Sequence, residues 1–367
     1  MPLGLVTAGE SHGPALVAIL TGLPAGLELD RDAIRHDLAR RQAGYGRSPR
    51  QRIETDDVEV LAGLRHGMTL GTPLALVVPN RDHSNWAWGM SPWLPEGEPA
   101  GKGREPVTLP RPGHADLAGA LKYGHEDVRN ALERASARHT ASIVAAGSVA
   151  KTLLAAIGIS LSGAVVEIGG AQGEEAAREA IDAARRDRDT LGGVVEVRAR
   201  GVPPGLGSYA TKDERLDARL AWTLMGTQAV KAVEVGDGLA IARERGSASH
   251  DELLRDEGGY RRETNRAGGI EAGTSNGETI VVRAAMKPLP TLMRPLRSAD
   301  LATGDAAQAL VERSDVAAVE ALAVVAEACV AFELAAAARD KFGGDALADF
   351  VAAHRAYVER IPWSAAT

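Results

Sequence analysis

The longest apolar stretch of the chain, VAAVEALAVVAEACVAFELAAAA at residues 316–338, predicts a helix packed inside the protein. Three glutamates interrupt it, Glu320, Glu327 and Glu333. A membrane-spanning helix would not carry three carboxylates without a strong cause, because each is costly in hydrocarbon. We therefore expect a buried or interface helix of a globular protein.

The composition of the 367-residue chain is that of a soluble globular protein, with 45% hydrophobic and 25% charged residues. Cys329 is the single cysteine and has no intrachain disulfide partner. The amino terminus lacks a signal-peptide pattern, so we expect a cytoplasmic location. The net charge of −7 and the aromatic content of 4% argue against a general nucleic-acid binder, because such proteins neutralise phosphates and stack bases.

Short strands and helical patterns are mixed along the chain, which favours the α/β fold class. Strands are expected at 58–61, 74–78, 194–197 and 279–284. Helices are expected at 126–157, 174–186, 215–233 and 316–339, and one more runs from a cap at Asp30 to about 43. Residues 91–112 are rich in proline and glycine, which predicts a long loop and a candidate lid.

Positive charge is concentrated in one turn-rich segment, RRQAGYGRSPRQR at residues 40–52, which has five arginines and no acid. An acidic protein that gathers arginines in one place is better suited to holding a compact anion than a polymer. The guanidinium fork matches carboxylates and phosphates. A merely solvated basic loop is the alternative.

Two histidines follow glycine-containing turns. AGESHGP at residues 8–14 contains His12, and RPGHAD at residues 111–116 contains His114 between Arg111 and Asp116. A histidine titrates near neutral pH, so two of them beside one anion site would act as proton donors. On local context alone, each could equally be an ordinary exposed histidine.

The remaining patterns narrow the chemistry. HExxH, cysteine-pair, Rossmann and P-loop patterns are absent from the sequence, so we expect neither a metal site nor a dinucleotide domain of those kinds. Residues 265–291 are rich in small residues and end in Lys287 and Pro288, which would let a flat ligand lie against the backbone. Asp315 precedes the last long helix, where capping alone would explain a carboxylate.

Taken in order, these clusters resemble those of the chorismate synthase family. The likeness runs from Thr7 to about Asp345 and includes AGESHGPAL, RRQAGYGR, RPGHADLAGALKYG, ERASAR, NRAGGIEAG, AAMKPLPT and RSDVAAV. It implies one domain, residues 1–367, folded as a layered β-α-β sandwich with helices between two antiparallel-rich sheets, and assembled as a homotetramer.

The resemblance also implies an activity. Members eliminate phosphate from 5-enolpyruvylshikimate 3-phosphate in an anti-1,4 sense to give chorismate, the last step of the shikimate pathway to aromatic amino acids. The reaction has no net redox change but requires reduced FMN. Some members use NADPH to reduce the flavin, and whether this chain does so is open at this point.

Residue roles follow from the same likeness. His12 would protonate or stabilise the departing phosphate, His114 would protonate the reduced flavin, and Asp315 would assist proton movement at the flavin edge. Arg50, Arg111 and Arg138 would bind substrate, whereas Arg41 and Arg47 would bind either a substrate anion or NADPH. The FMN contacts would be Arg134, Ala135, Ser136, Gln228, Ala229, Ala272, Lys287, Pro288, Leu289, Pro290, Thr291 and Arg313.

The chain departs from the usual family pattern at several of these positions. Ala272 stands where a glycine is usual, Pro290 where a serine is common, and His139 where a glutamate is frequent. Two rival functions are a non-catalytic anion- or RNA-binding protein and a flavin reductase. Neither explains why the histidine, arginine and glycine clusters occur together.

Overall fold

The helix expected from the apolar stretch is α8 (Val319–Phe342) in the computed structural model, which describes residues 1–47, 55–98, 100–311 and 314–363. In the described part of the chain it is the one helix long and apolar enough to cross a membrane, and 94% of its apolar window is buried inside the protein. A core helix of a soluble protein passes the same test. The burial fits the core helix that the three glutamates predicted.

The other helices are α1 (Arg31–Gln42), α2 (Asp116–Tyr123), α3 (Arg129–Ala135), α4 (Thr140–Ala155), α5 (Glu174–Asp187), α6 (Leu216–Met225), α7 (Gly246–Ser249) and α9 (Leu347–Arg360). The strands are β1 (Gly4–Ala8), β2 (Ala15–Thr21), β3 (Glu59–Ala62), β4 (Leu64–Arg65), β5 (Met68–Thr69), β6 (Leu74–Pro79), β7 (Ser160–Ile168), β8 (Gly193–Arg200), β9 (Val230–Val235), β10 (Leu253–Asp256), β11 (Gly259–Arg262), β12 (Ile270–Glu271), β13 (Thr274–Ser275), β14 (Ile280–Met286), β15 (Arg297–Ala299) and β16 (Ala306–Gln308).

Two four-stranded antiparallel sheets form the outer layers. The first has the order β1-β2-β6-β3, and the second has the order β7-β8-β14-β9. Alternate residues of a strand point to opposite faces, so one face of each sheet supplies the core. In β2 these core residues are Leu16, Ala18 and Leu20, and in β8 they include Val195 and Val197.

The helices lie between the sheets. Helix α4 packs on β2 and β6 of the first sheet, α8 packs on β7 and β8 of the second, and α4 and α8 pack on each other. A Cβ placed on Gly147 in α4 would lie 2.3 Å from the Cβ of Ala328 in α8, so only glycine permits this approach. The expected β-α-β sandwich with antiparallel sheets is confirmed.

The three glutamates of the apolar stretch each have a basic or backbone partner. Glu327 is buried and accepts hydrogen bonds from Arg40 at 2.9 Å, from Lys151 at 2.7 Å and from the Gly163 amide at 2.8 Å. Burial raises the pKa of a carboxyl, but these partners outweigh burial and lower the pKa of Glu327. Glu333 pairs with Arg219 at 3.2 Å, whereas Glu320 accepts the amide of Tyr45 at 2.9 Å.

One expected helix is interrupted. The sequence predicted a continuous helix over 126–157, but Ser136 is extended, with φ −63° and ψ 141°, and it separates α3 from α4. The Ser136 hydroxyl accepts the amide of Arg138 at 3.3 Å and lies 3.2 Å from the hydroxyl of Ser11. The break directs residues 135–138 toward a cavity instead of continuing the helix.

Two further expectations need correction. The helix expected over 215–233 ends at Met225, and the β-branched residues after it form β9, which pairs with β14. The capping explanation of Asp315 is also wrong, because α8 begins at Val319 after a cap residue, Ala318, that makes no side-chain cap bond. Asp315 therefore has another structural role.

Candidate active site

A cavity of about 520 Å³ lies where the loops after β1, α1, α3 and β14 meet the start of α8. A volume of this size is within the usual range for small-molecule and cofactor sites. Most of the residues proposed from the sequence line it, namely His12, Arg41, Arg47, Arg111, His114, Ala135, Ser136, Arg138, Gln228, Ala229, Lys287, Leu289, Pro290, Thr291 and Asp315.

Five proposed residues do not line the cavity or cannot be placed. Arg134 donates to the carbonyl of Thr7 at 3.0 Å and so holds β1. Ala272 lies in the turn between β12 and β13 with φ 48°, a conformation that favours the glycine usual at this position. Pro288 lies next to lining residues without lining the cavity itself. Arg50 and Arg313 lie outside the described residues.

His12 is held by a buried carboxylate. Its Nδ1 lies 2.9 Å from Oε1 of Glu133 and 3.0 Å from Oε2, and its backbone amide donates to Glu133 at 2.9 Å. A carboxylate can only accept a hydrogen bond, so Nδ1 of the ring carries the hydrogen and donates it to Glu133. Nε2 is then the ring nitrogen that serves the cavity.

His114 has the same arrangement. Its Nδ1 makes a short hydrogen bond with Asp116, which is fully buried at the start of α2. Burial alone would raise the pKa of Asp116, but hydrogen bonds from His114 and Arg111 hold it well below its usual range. Asp116 is therefore an anion held against Nδ1 of His114.

Arg111 holds this histidine pair in place. It donates through Nε to Asp116 at 2.9 Å and through Nη1 to the hydroxyl of Thr291 at 3.1 Å. Thr291 follows β14, so Arg111 ties the His114 loop to the second sheet. These contacts give Arg111 a positioning role in addition to the substrate role expected from the sequence.

Two more arginines share a buried aspartate. Arg138 donates to Asp56 at 2.7 Å and to the side chain of Asn80 at 2.9 Å, and Arg41 Nη1 lies 3.6 Å from Asp56. Asn80 in turn donates to the carbonyls of Glu10 and Gly13, on either side of His12. Hydrogen bonds through Asn80 therefore join Arg138 to the loop that holds His12, and Arg41 lies beside the same aspartate.

Arg47 joins the two ends of the cavity. Its Nη1 lies 3.0 Å from Oδ2 of Asp315, and both side chains are almost buried. The Val316 amide also donates to the Gly46 carbonyl at 2.8 Å. This ion pair is the structural role of Asp315 that the capping explanation missed.

Several residues expected to contact FMN suit a flat ring with polar edges. Oε1 of Gln228 is buried and has no hydrogen-bond partner among the described residues, so it is an acceptor ready for a ligand N–H. Lys287 donates to the Gly113 carbonyl at 2.8 Å. Burial and the nearby Lys231 lower the pKa of Lys287. The small and aliphatic residues Ala321, Leu322 and Val325 form an apolar wall.

Sequence reasoning missed Glu133, Asp56, Asn80 and Trp86. Glu133 is the first residue of the ERASAR motif, but its partner His12 lies 121 positions away, so no local pattern predicts the contact. Asn80 offered one weak signal, a polar residue directly after the strand that ends at Pro79. Trp86 stacks on His12 with ring centroids 4.0 Å apart.

His139 behaves as a neutral core histidine. It is 8% exposed, and Nε2 lies 3.2 Å from the Thr7 hydroxyl. Burial, Arg134 and Arg41 lower its pKa to about 4. The glutamate frequent at this position in the family would meet the same two arginines with the opposite charge.

We expect His139 to make the protein less stable in mild acid. Below about pH 6.5 the unfolded chain binds a proton at this histidine that the folded chain does not bind until about pH 4. The free energy of unfolding should therefore fall over this window by up to about 3 kcal/mol relative to His139→Gln. Urea unfolding of both proteins at pH 7.5 and 4.5 measures it. Equal losses in the two proteins would contradict the expectation.

The geometry defines an enzyme for a small anionic molecule, with two carboxylate-backed histidines facing a cavity rich in arginine. The comparisons with known proteins give its family. A family model described as chorismate synthase matches residues 3–338. The chain belongs to the chorismate synthase family, lyases of the shikimate pathway that act on a small molecule and in general use a flavin.

Named relatives are similar over their whole length. Chorismate synthase of Desulforudis audaxviator (strain MP104C) is 52% identical over 98% of both chains. That of Pelobacter propionicus (strain DSM 2379 / NBRC 103807 / OttBd1) is 51% identical over 98% of this chain and 99% of the relative. A crystal structure of chorismate synthase superposes with a TM-score of 0.77 at 37% identity and covers 99% of both chains.

Proposed function

We propose that this chain eliminates phosphate from 5-enolpyruvylshikimate 3-phosphate to give chorismate, with reduced FMN as its cofactor. The observation that carries the proposal is the pair of histidines in one cavity, each with a buried carboxylate on Nδ1. An elimination that expels phosphate needs a proton donor for the leaving group and cations for its charge. The cavity supplies both.

The substrate has one phosphate and two carboxylates, so it needs several cationic partners. Arg47 and Arg138 are our principal candidates among the described residues, and Arg50 belongs with them by resemblance. Arg41 and Arg111 donate hydrogen bonds within the protein, to Thr140, Ala137, Asp116 and Thr291. They add positive potential and fix the shape of the site.

The flavin would lie along Ala135 and Ser136, Gln228 and Ala229, and residues 287–291. The partnerless Oε1 of Gln228 and the cationic Lys287 support this placement. When bound, reduced FMN would lend electron density as the phosphate leaves and recover it at the end, which leaves no net redox change. Arg134 supports the site from outside, since its guanidinium holds the carbonyl of Thr7.

Three residues of the chain would each donate or hold a proton during the reaction. His12 delivers a proton from Nε2 to the departing phosphate, and Glu133 stabilises the cation before transfer. His114 would deliver a proton from Nε2 on the other side of the site, while Asp116 holds the ring at Nδ1. Asp315 holds or releases a proton at Oδ2 under the control of Arg47.

Anaerobic turnover tests the proposal. Purified protein, the substrate and chemically reduced FMN should release phosphate and form chorismate, whereas oxidised FMN and flavin-free controls should not. Release of phosphate without flavin, or no product under reducing conditions, would contradict it. Turnover in air with oxidised FMN and NADPH, without added reductase, would assign NADPH as reductant, and Arg41 and Arg47 would then be the candidates for binding the nucleotide.

We also propose that the chain forms one domain over residues 1–367, is cytoplasmic and assembles as a homotetramer. The outer face of the first sheet supports self-association, because Val6 and Leu61 are 67% and 69% exposed there. Light scattering of the purified protein measures the assembly. A monomer at micromolar concentration would contradict the tetramer.

A further inference from the structure

Glu133 grips His12 at two points. Its carboxylate contacts the ring at Nδ1 and the backbone amide of the same residue, at distances of 2.9–3.0 Å. The Glu133 carbonyl also accepts the amide of Ser11 at 3.1 Å. Its side chain is 1% exposed, so the ring position and the loop position of His12 both depend on one buried anion.

Trp86 fixes the plane of the same ring. The indole and the imidazole are stacked with centroids 4.0 Å apart and an interplanar angle of 21°. Trp86 is itself held, because Nε1 donates to Asp82 at 3.0 Å, and Arg129 and Lys102 lie over its ring at 5.2 and 5.8 Å. His83 adds a ring contact to the His12 carbonyl at 3.0 Å.

We propose that Glu133 is the positioning residue of His12, which fixes the hydrogen on Nδ1 and keeps the ring protonated for transfer from Nε2. The inference rests on the proposed role of His12 as the proton donor to the departing phosphate. Glu133 does not take up the proton that is transferred. After transfer the neutral ring still donates its Nδ1 hydrogen to the carboxylate, and the phosphate carries the proton away.

The Glu133 carboxylate meets the His12 ring directly, at Nδ1. Other titratable or charged groups lie around it, namely Asp82, His83 and Lys102 beyond the indole and Arg129 on α3, whereas Glu10 on its own loop is exposed. Arg129 lies 3.9 Å from Glu133 and partly neutralises it.

The stacked indole makes the charge of His12 measurable without substrate or flavin. An imidazolium in contact with an indole quenches its fluorescence, and the neutral ring does so far less. Tryptophan emission of the flavin-free protein should therefore rise as His12 loses its proton. The same titration of His12→Asn gives a baseline. Subtracting it removes the contributions of the other tryptophans and of His83 from the emission change.

The test compares Glu133→Gln with Glu10→Gln, which removes an exposed carboxylate two residues from His12. In Glu133→Gln we expect the midpoint of the emission change to fall by about 1 pH unit or more, because the opposite charge at the ring is lost. Turnover with reduced FMN should fall about 10- to 100-fold and its alkaline limb should move to lower pH, a smaller loss than removal of a general acid causes. Glu10→Gln should match the wild type.

An unchanged midpoint in Glu133→Gln would overturn the inference. So would an equal shift in Glu10→Gln, since it would show a general charge effect. If Glu133→Gln does not fold, nitrogen NMR of histidine-labelled wild-type protein decides instead. Neutral His12 should carry its hydrogen on Nδ1, and a hydrogen on Nε2 would overturn the inference.

The two proposals fail in different ways. If His12→Asn keeps wild-type turnover, the proposed role of His12 as proton donor is wrong whatever Glu133 does. If His12→Asn is inactive but Glu133→Gln keeps the wild-type emission midpoint and turnover, only the positioning role of Glu133 is wrong.

Discussion

Replacing His12 by alanine should lower turnover by about 10²–10⁴-fold, the usual contribution of a general acid. His12 lies on a loop outside the hydrophobic core, so the fold should survive. The cost to stability should come from Glu133, which would lose the hydrogen bond from the ring and keep the one from the backbone amide of residue 12 while it stays buried. We expect that cost to be about 1–3 kcal/mol.

A second variant separates the two effects. In His12→Asn the side-chain amide can take the place of Nδ1–H and keep the hydrogen bond to Glu133, but nothing replaces Nε2. We expect the same loss of turnover as in the alanine variant and a smaller loss of stability. Anaerobic turnover and thermal unfolding measure the two quantities. Near wild-type turnover of either variant would remove His12 from the chemistry.

The sequence predicted elements well where local signals decide them. Asp30 was recognised as a helix cap, and its side chain does accept the amide of Asp32 at 2.8 Å. The burial of α8 inside a globular protein was predictable, because its stretch is almost entirely apolar but carries three glutamates, which a membrane-spanning helix would not. The interruption at Ser136 was not visible, since the residues around it favour a helix and the contact with Ser11 is tertiary.

In the candidate site, too, residues in local motifs were predictable, whereas their partners from distant segments were not. Its histidines and arginines stand in short motifs beside glycines, and the structure brings most of them to one cavity. Their supporting carboxylates were harder to find, because Glu133 and Asp56 act across the fold. Asp116 is the exception, since it lies two residues from His114 and was named with it. Local context suggests helix capping for Asp315, which its pairing with Arg47 contradicts, whereas its proton role by resemblance stays a prediction.

Arg47→Ala should weaken substrate binding far more than flavin binding. A charge-assisted hydrogen bond contributes about 1.5–3 kcal/mol, so the loss of one such contact should raise KM roughly 10- to 150-fold. Most of the proposed flavin contacts are Gln228 and Ala229, before β9, and residues 287–291, after β14. Arg47 is not among the proposed flavin contacts. The flavin dissociation constant should therefore change little.

Arg47→Ala also removes the ion-pair partner of Asp315, which lies 3.0 Å from Arg47. Two control variants separate this effect from the loss of a substrate contact. Arg47→Lys keeps the positive charge but loses the guanidinium fork, so we expect an intermediate KM. Asp315→Asn keeps a polar side chain beside Arg47 and removes the carboxylate, so its defect should appear in kcat, with KM near the wild-type value. Anaerobic steady-state kinetics and flavin titration separate these outcomes. Equal losses of substrate and flavin binding in Arg47→Ala would point to structural damage, because an arginine that acts on the substrate alone cannot weaken both.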